Sequence, residues 1–384
     1  MRKKIFLGVL IAILLLPLWM WLAWLLTPNT KMVAAIVDKT AITREGQEHI
    51  SLNWILNHER YSKTSNKPYQ ISEDYFGFHP LEDEKFKLKG LERFSSPQLN
   101  QLSEDADMVY FTDTYGIYNN EWYLKGKEQK YGMLYGGLSD RDLELLSLMK
   151  QKNKLIITEF NTIGSPTNIQ NRKRFEEMFG LEWSGWTARY FDNFDLDVNK
   201  ELPAWLIESY KNAHDGKWPF KKAGIAFVHI SGQVVILEDE THLDNPMPFI
   251  HSTSYGQENL GLPTQIKYPF WFDIMVLDRT INNEVASYKI STNKNGVEEL
   301  KKNGIPTEFP AVTKNKGDKY KFYYFSGDFC DNPIGITSSY FKGISFFKGF
   351  FYNEDNPIER ASFFWKFYRP MLTNILENYS NGEK

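Results

Sequence analysis

The chain opens with an unbroken apolar stretch. Ile5 to Leu26 contains no charged residue over 22 positions. About 20 apolar residues in a helix cross the hydrocarbon core of a bilayer, so the stretch predicts one transmembrane anchor. Three basic residues, Arg2 to Lys4, precede it, and cytoplasmic flanks carry the excess of basic residues. The pattern predicts a cytoplasmic tip and anchor over residues 1–30 and an extracytoplasmic domain over residues 31–384.

A cleaved signal peptide is the alternative for this segment. Signal peptides have a shorter apolar core, which ends at a cleavage site with small side chains. The end of the stretch, Leu22 to Leu26, is bulky instead. We therefore expect a retained anchor and a single-pass protein of the cell membrane.

Beyond the anchor, short apolar runs alternate with amphipathic segments. Such alternation favours an α/β fold with a mainly parallel sheet and helices on both faces. The predicted strands are Met32 to Val37, Ala106 to Thr112 and Lys154 to Thr158, and the predicted helices are Glu48 to His58, a helix that begins at Ser139, and Arg172 to Phe179.

The pattern changes in the second half of the chain. Ala223 to His229 and Gln233 to Leu237 are apolar runs joined by a short turn, which predicts a β-hairpin added to the sheet. Residues from about 245 to 384 form a strand-rich, aromatic-rich extension, with a strand at Lys321 to Phe325 and a helix near Pro370. Its aromatic side chains form either the core or an interface with a partner or a membrane.

In this order, the segments resemble the class I glutamine amidotransferase-like superfamily. The resemblance is one of layout and covers about residues 32–240. It implies an amidotransferase-like or flavodoxin-like sheet. The segments that carry it are Val33 to Asp38, Ala106 to Asp113, Ser139 to Glu159 and the helix Arg172 to Gly180.

The resemblance does not extend to the amidotransferase nucleophile. Active members carry a cysteine in the turn after the strand that corresponds to Leu155 to Thr158, and this turn reads Glu159-Phe160-Asn161 here. Cys330 does not replace it, because the family places a histidine after the cysteine and the last histidine is His251. We therefore expect a domain without thiol chemistry.

Acidic residues follow four of the apolar runs directly. They are Asp38, Asp113, Glu159 and Glu238. Ligands of open α/β sheets bind outside the carboxyl ends of the strands, where two carboxylates can act as acid and base on a glycosidic bond. Asp113, Glu159 and Glu238 are thus catalytic candidates. The alternative is that such residues cap the following helices.

The segment Trp183 to Asp192 is rich in groups that recognise sugars. Indole rings stack on sugar rings, and an Arg with an Asp can bind hydroxyl groups. The alternative is a buried strand with an internal Arg–Asp pair. The residues predicted to bind a ligand are Asp38, Tyr115, Asn161, Trp186, Arg189 and Asp192.

Composition and spacing argue against several other classes. The net charge of −3 without a basic stripe argues against a nucleic-acid partner. Histidine spacing fits no zinc motif, and neither a calcium loop nor a phosphate loop occurs, so we expect no metal and no cofactor.

Three functions remain compatible with this pattern. The leading hypothesis is a catalytically degenerate amidotransferase-like domain that binds an envelope glycan. The second is a carboxylate-based glycan hydrolase. The third is a scaffold subunit that uses the aromatic C-terminal region to contact an envelope protein or the bilayer.

Overall fold

The structure, a computed structural model, describes residues 12–124, 132–317 and 319–382. Its strands are β1 Thr30–Lys31, β2 Ala34–Asp38, β3 Tyr61–Ser62, β4 Phe76–Pro80, β5 Phe86–Leu88, β6 Met108–Asp113, β7 Ile117–Tyr118, β8 Met133–Tyr135, β9 Leu155–Glu159, β10 Leu181–Phe191, β11 Gly224–His229, β12 Val234–Glu238, β13 Phe249–Ser252, β14 Gln265–Lys267, β15 Phe272–Leu277, β16 Asn282–Lys289, β17 Glu308–Asn315 and β18 Lys321–Phe325.

The helices lie between these strands and at both ends of the described chain. They are α1 Leu16–Leu26, α2 Ile50–His58, α3 Ser96–Asp105, α4 Asn119–Trp122, α5 Asp140–Gln151, α6 Ile169–Phe179, α7 Ala204–Ala213, α8 Ser254–Leu260, α9 Lys294–Lys302, α10 Ala361–Phe363 and α11 Arg369–Ser380. Short 3-10 turns lie at Gln47–His49, Leu91–Arg93, Ile336–Tyr340 and Ile344–Phe350, and a π-helical segment, Phe364–Tyr368, joins α10 to α11.

A large mixed sheet organises the fold. Within the described residues it has ten strands in the order β14-β13-β16-β17-β18-β9-β6-β2-β4-β5. The strands from β18 to β4 run parallel, and the other pairs are antiparallel. The prediction of a mainly parallel sheet therefore holds for the strands from β18 to β4 and is wrong for the strands outside them. The short link between β17 and β18 imposes antiparallel pairing, because a parallel connection needs a long crossover.

Helices cover both faces of this sheet, as the sequence predicts. Successive strand residues point to opposite faces, so Ile36 and Tyr110 lie on one side, and Val37 and Val109 on the other. We call these the front face and the rear face. Helix α2 and the helices from α10 to α11 pack on the front face, and α5 and α6 pack on the rear face.

A second, antiparallel sheet has the order β12-β11-β10-β15. The predicted hairpin is present as β11 and β12, but it belongs to this small sheet and is not added to the large one. The reason lies in β10, a long strand whose segment Trp186 to Phe191 pairs with β11. One side of the small sheet packs into the front-face core through Trp186 and Phe227, and α7 covers the other side.

Local sequence signals place the helix ends on the rear face. The Ser139 hydroxyl accepts a hydrogen bond from the Asp142 backbone N–H, and the Asp142 carboxylate accepts one from Ser139, which is a capping box at the start of α5. Gly180 ends α6 in the left-handed conformation, with φ of 64°. Both signals confirm the sequence prediction.

A buried cation lies directly after β2. The Lys39 ammonium donates to the Asp142 carboxylate at 2.6 Å and to the Gly137 carbonyl at 3.0 Å, and it forms an ion pair with Glu92. The Lys39 and Asp142 side chains are both fully buried. This pair therefore ties the end of β2 to the start of α5.

Helix α1 covers only part of the predicted anchor. The predicted stretch begins at Ile5, and residues 5–11 lie outside the described residues. In the described part of the chain, no helix is both long enough and apolar enough to cross a membrane. Helix α1 contacts the domain through Trp24, whose indole N–H donates to the Asn57 carbonyl at 2.9 Å.

The C-terminal aromatic residues divide into two groups. Phe322 to Phe325 and Phe363 to Tyr368 are buried, with the exception of the half-buried Lys366, so they form core, as one of the two interpretations of the sequence predicts. Phe346 and Phe350, which lie between these segments, are exposed.

Candidate functional site

Three of the predicted acidic residues meet at the carboxyl ends of the parallel strands. Asp38, Asp113 and Glu159 are the last residues of β2, β6 and β9, and all three are buried. Asp38 and Asp113 are paired across adjacent strands. The strand spacing of about 4.8 Å therefore brings their side chains close together.

Glu238 is not part of this group. It ends β12 in the small sheet, where its carboxylate accepts hydrogen bonds from the backbone N–H groups of Lys221 and Lys222. These bonds hold the loop before β11, which is the structural role that such residues often have. The structure thus offers no pairing of Glu238 with Glu159.

A second set of carboxylates completes the site. Glu48 lies in the 3-10 turn after β2, and Asp328 and Asp331 lie in the loop after β18; their carboxylate oxygens all lie within 4.8 Å of one another. We call these three residues the acidic cluster. Asp328 and Asp331 are buried, whereas Glu48 is half-buried and is thus the most accessible member of the cluster. Oxygen ligands at this spacing are also those that Ca²⁺ or Mg²⁺ prefers.

Asp331 is held as an ion pair. The Arg360 guanidinium lies 3.3 Å from its carboxylate, and the Gln47 amide donates to it at 2.9 Å. Arg360 also lies over the Phe270 ring, 3.5 Å from the ring centroid. These contacts fix the position of one negative charge inside the cluster.

The neighbouring carboxyl groups are biased toward the protonated form. Burial raises the pKa of Glu48 well above its ordinary value, and the charges of Asp328 and Asp113 raise it further. Burial and then the charge of Asp331 raise the pKa of Asp328. Burial, with Asp38 adding to it, raises the pKa of Asp113 to about 7. Burial and like charges therefore favour the neutral form of these acids, next to a carboxylate that is ion-paired with Arg360.

His49 orients Asp38. Its Nδ1 lies 2.5 Å from the Asp38 carboxylate, and its Nε2 lies 2.7 Å from the Ile71 carbonyl. Both ring nitrogens are therefore engaged, one by the Asp38 carboxylate and the other by the Ile71 carbonyl. These two contacts fix the orientation of the His49 ring beside Asp38.

Glu159 supports the loop that carries the acidic cluster. It is fully buried, and its carboxylate accepts hydrogen bonds from the Tyr110 hydroxyl at 3.1 Å and from the Cys330 backbone N–H at 3.3 Å. Cys330 itself is buried, and burial raises the pKa of its thiol well above the ordinary value. Glu159 therefore positions the loop between Asp328 and Asp331.

We expect Glu159→Gln to stabilise the protein above neutral pH. Burial raises the pKa of Glu159, with the charge of Asp328 adding to it, so the folded chain holds a proton that the unfolded chain releases above about pH 4.3. Stability is then lost at up to about 1.4 kcal/mol per pH unit as the pH rises toward the raised pKa. An amide at this position carries no such penalty.

The measurement is the unfolding midpoint of the detergent-solubilised chain at pH 5 and pH 8. The advantage of Glu159→Gln over the wild type should grow between the two values, whereas the exposed control Glu45→Gln should show none. If the advantage of the variant over the wild type shrinks between pH 5 and pH 8, Glu159 is ionised in the folded protein and the prediction is wrong.

The loop of the acidic cluster is hydrogen-bonded to a residue of an indole pair. The backbone N–H of Asp328 donates to the Trp271 carbonyl at 3.2 Å, and the Trp271 ring is stacked with the Trp205 ring at 6.4 Å and 24°. Trp205 is 49% exposed. The Arg189 guanidinium lies over Trp271, 5.6 Å from the ring centroid. Trp271 and Trp205 thus form a partly exposed aromatic pair that is joined to the acidic cluster through the Trp271 backbone.

The predicted ligand-binding residues are separated by the fold. Trp186 is buried in the core, because one side of β10 packs against the large sheet, so its indole cannot stack on a sugar. Asp192 is exposed. The buried-strand interpretation predicts that Arg189 pairs with Asp192, but the Arg189 guanidinium lies over the rings of Phe191 and Phe270 instead. Two of the six lie near the acidic cluster: Arg189 packs on the Phe270 ring that also contacts Arg360, and the charge of Asp38 contributes to the raised pKa of Glu48.

The remaining two predicted residues lie in loops at the strand ends. The backbone N–H of Tyr115 donates to the Asp113 carboxylate at 2.5 Å, and the backbone N–H of Asn161 donates to the Asp273 carboxylate at 3.2 Å. Both therefore hold buried carboxylates through their main chain.

A cavity of about 740 Å³ lies apart from the acidic cluster. It runs along the start of β2 and β4, and its lining includes Tyr69, Phe76 and Phe94 together with the ion-paired Lys63 and Asp74. None of the residues that the sequence predicts as site residues lines it.

Comparison with known proteins finds similarity at the level of the fold. No family model and no curated protein matches the chain. Among solved structures, a glutamine amidotransferase from Thermotoga maritima aligns over 92% of this chain and 100% of its own, with 12% identity and a TM-score of 0.40. A ThuA-like protein from Bacteroides uniformis aligns over 82% and 89%, with 8% identity and a TM-score of 0.37.

A carbohydrate deacetylase is also similar, over 78% of this chain and 30% of its own, with 9% identity and a TM-score of 0.34. The neighbours thus include one glutamine amidotransferase, and the sequence resembles the amidotransferase-like superfamily in its layout. The α/β character of the chain is established by its own strand order.

Proposed function

We propose that the chain is a membrane-anchored, extracytoplasmic domain that hydrolyses glycosidic bonds of an envelope glycan. The observation that carries this proposal is the acidic cluster of Glu48, Asp328 and Asp331, whose Asp328 backbone is hydrogen-bonded to the backbone of Trp271, a residue with its indole stacked on that of Trp205. Carboxylates supply the acid and the base, and partly exposed indoles supply a surface for sugar rings. The anchor is supported by the apolar stretch Ile5 to Leu26.

The spacing of the carboxylates favours one of the two hydrolytic geometries. Their oxygens lie within 4.8 Å of one another. The carboxyl groups are about 5–5.5 Å apart in retaining glycosidases and about 6.5–9.5 Å apart in inverting ones. A limit of 4.8 Å between one oxygen of each carboxylate is closer to the retaining than to the inverting separation, and we therefore propose a retaining reaction.

Each residue of the reaction has a distinct role. Protonated Glu48 donates its proton to the leaving oxygen while the Asp331 carboxylate attacks the anomeric carbon, which breaks the glycosidic bond and forms a glycosyl ester. Glu48 then takes a proton from water, which hydrolyses the ester and releases Asp331. Asp328, close to both, donates a proton in a hydrogen bond to a sugar hydroxyl.

The test is a screen of envelope polysaccharides and oligosaccharides with the detergent-solubilised full chain. We expect new reducing ends from at least one of them, with the anomeric configuration retained in the first product seen by NMR, and no loss of activity with a chelator. Absence of product from every glycan would rule out hydrolysis. Loss of activity on chelation would replace the acid–base assignment with a cation-dependent one.

Binding of a glycan without turnover is the second candidate. It is favoured by the burial of Asp328 and Asp331, which leaves Glu48 as the open member of the acidic cluster. Calorimetry with the same glycans separates the two functions, because binding heat without reducing ends supports this candidate.

A further inference from the structure

An exposed aromatic segment lies between the buried strand β18 and the buried helical residues Phe363 to Tyr368. Residues 341–351 include the 3-10 turn Ile344–Phe350, in which Phe346 is 90% exposed and Phe350 is 86% exposed. Phe351 is 42% exposed. Grouped apolar exposure of this kind marks an interaction surface, because it is unfavourable in water.

This segment lies against helix α1. The backbone N–H of Lys342 donates to the Met20 carbonyl at 3.1 Å, and the Trp24 ring meets the Tyr340 ring edge-on at 4.9 Å. Helix α1 is itself apolar on its exposed sides. The exposed large apolar residues of this helix are Leu16, Leu18, Trp19, Trp21, Leu25 and Leu26. The segment and the helix, each with exposed apolar side chains, therefore meet at Lys342 and Met20.

The charge of the segment suits a phospholipid surface. Residues 341–351 contain no acidic residue and two lysines, of which Lys342 is ion-paired with Glu59 at 2.8 Å. Lys348 is exposed, and lysines beside apolar groups extend their ammonium toward lipid headgroups. Stable attachment to membranes generally combines two signals, here an apolar helix and an aromatic, basic segment.

We propose that residues 341–351 insert Phe346 and Phe350 into the interface of the bilayer that holds α1, so that the domain lies against the membrane surface. The proposal rests on the membrane anchoring proposed above and is independent of glycan hydrolysis. The occupant of this surface is a lipid bilayer. We favour a bilayer over a protein partner because the segment contacts α1, the helix that we propose to lie in the membrane.

The test uses single cysteine substitutions in the full chain reconstituted in lipid vesicles. Cys330 is fully buried, so wild-type protein serves as the labelling blank. Phe346→Cys and Phe350→Cys place a polarity-sensitive fluorophore on the segment. Ile169→Cys is the matched control, because Ile169 is 60% exposed at the start of α6 on the rear face.

We expect a blue shift and strong quenching by lipid-attached quenchers at positions 346 and 350, and neither at position 169. Quenching at 346 and 350 that does not exceed quenching at 169 would overturn the proposal. So would a blue shift without lipid quenching, because a protein partner or a second copy would then cover the segment. Alkaline extraction reports separately on the anchor, and the glycan screen reports separately on hydrolysis.

Discussion

Glu48→Gln should lower the rate of glycan hydrolysis by about 10²–10⁴-fold, the usual contribution of a general acid. The amide has the shape of the carboxyl group but cannot donate a proton to the leaving oxygen. The matched control is Glu45→Gln, which removes an exposed carboxylate three residues earlier and should leave the rate unchanged. The rate constant for a natural glycan is the measured quantity.

The leaving group separates an acid role from a structural one. An aryl glycoside with an activated leaving group needs little protonation, so Glu48→Gln should retain most of its activity on this substrate. Burial and the nearby charges raise the pKa of Glu48, so wild-type activity should persist to a higher pH than an ordinary carboxyl group allows and then fall. This basic limb should be absent from the profile of the variant.

Equal losses on both substrates would contradict the assignment of Glu48 as the acid. In that case Asp328 is the next candidate, because its pKa is also raised by burial and by Asp331. Asp331→Asn should instead lower the rate on both substrates, since the nucleophile acts in either reaction.

The buried strands were predictable from the sequence. Strands that are covered on both faces read as continuous apolar runs, so β2, β6 and β9 appear in the sequence together with the acidic residues that end them. The long strand β10 was not recognised as the centre of a second sheet, because pairing partners leave no local signal. For this reason the sequence predicts Trp186 as a ligand-binding residue, although its side chain faces the core.

The acidic cluster was only partly predictable. Glu48 and Asp331 are 283 positions apart, and neither lies in a repeated pattern or a known motif. They meet because β18 enters the sheet beside β9, which brings its loop over the end of β2. The one signal in the sequence is the turn Ser326-Gly327-Asp328 directly after a strong strand. A turn of this kind is also found in loops without function.

Lys39→Met should lower the free energy of unfolding by about 3–5 kcal/mol, because removal of one partner leaves the other as an uncompensated buried charge. The charge left behind is that of Asp142, which is fully buried with Lys39. The exposed control is Lys67→Met, which should change the stability little. Denaturant unfolding of the detergent-solubilised chain at neutral pH is the measurement.

A second substitution shows whether charge or packing is responsible. Lys39→Met combined with Asp142→Asn removes both charges and keeps an acceptor for Ser139, so it should recover part of the lost stability. Burial opposes the ammonium of Lys39, but the carboxylates of Asp142 and Glu92 outweigh it and raise its pKa. The stabilising contribution of Lys39 is therefore fully present below about pH 10.4 and is lost only as the pH rises through the raised pKa. The cost of Lys39→Met should thus be the same at pH 7 and pH 9, and a cost no larger than that of Lys67→Met would show that the buried pair contributes nothing to the fold.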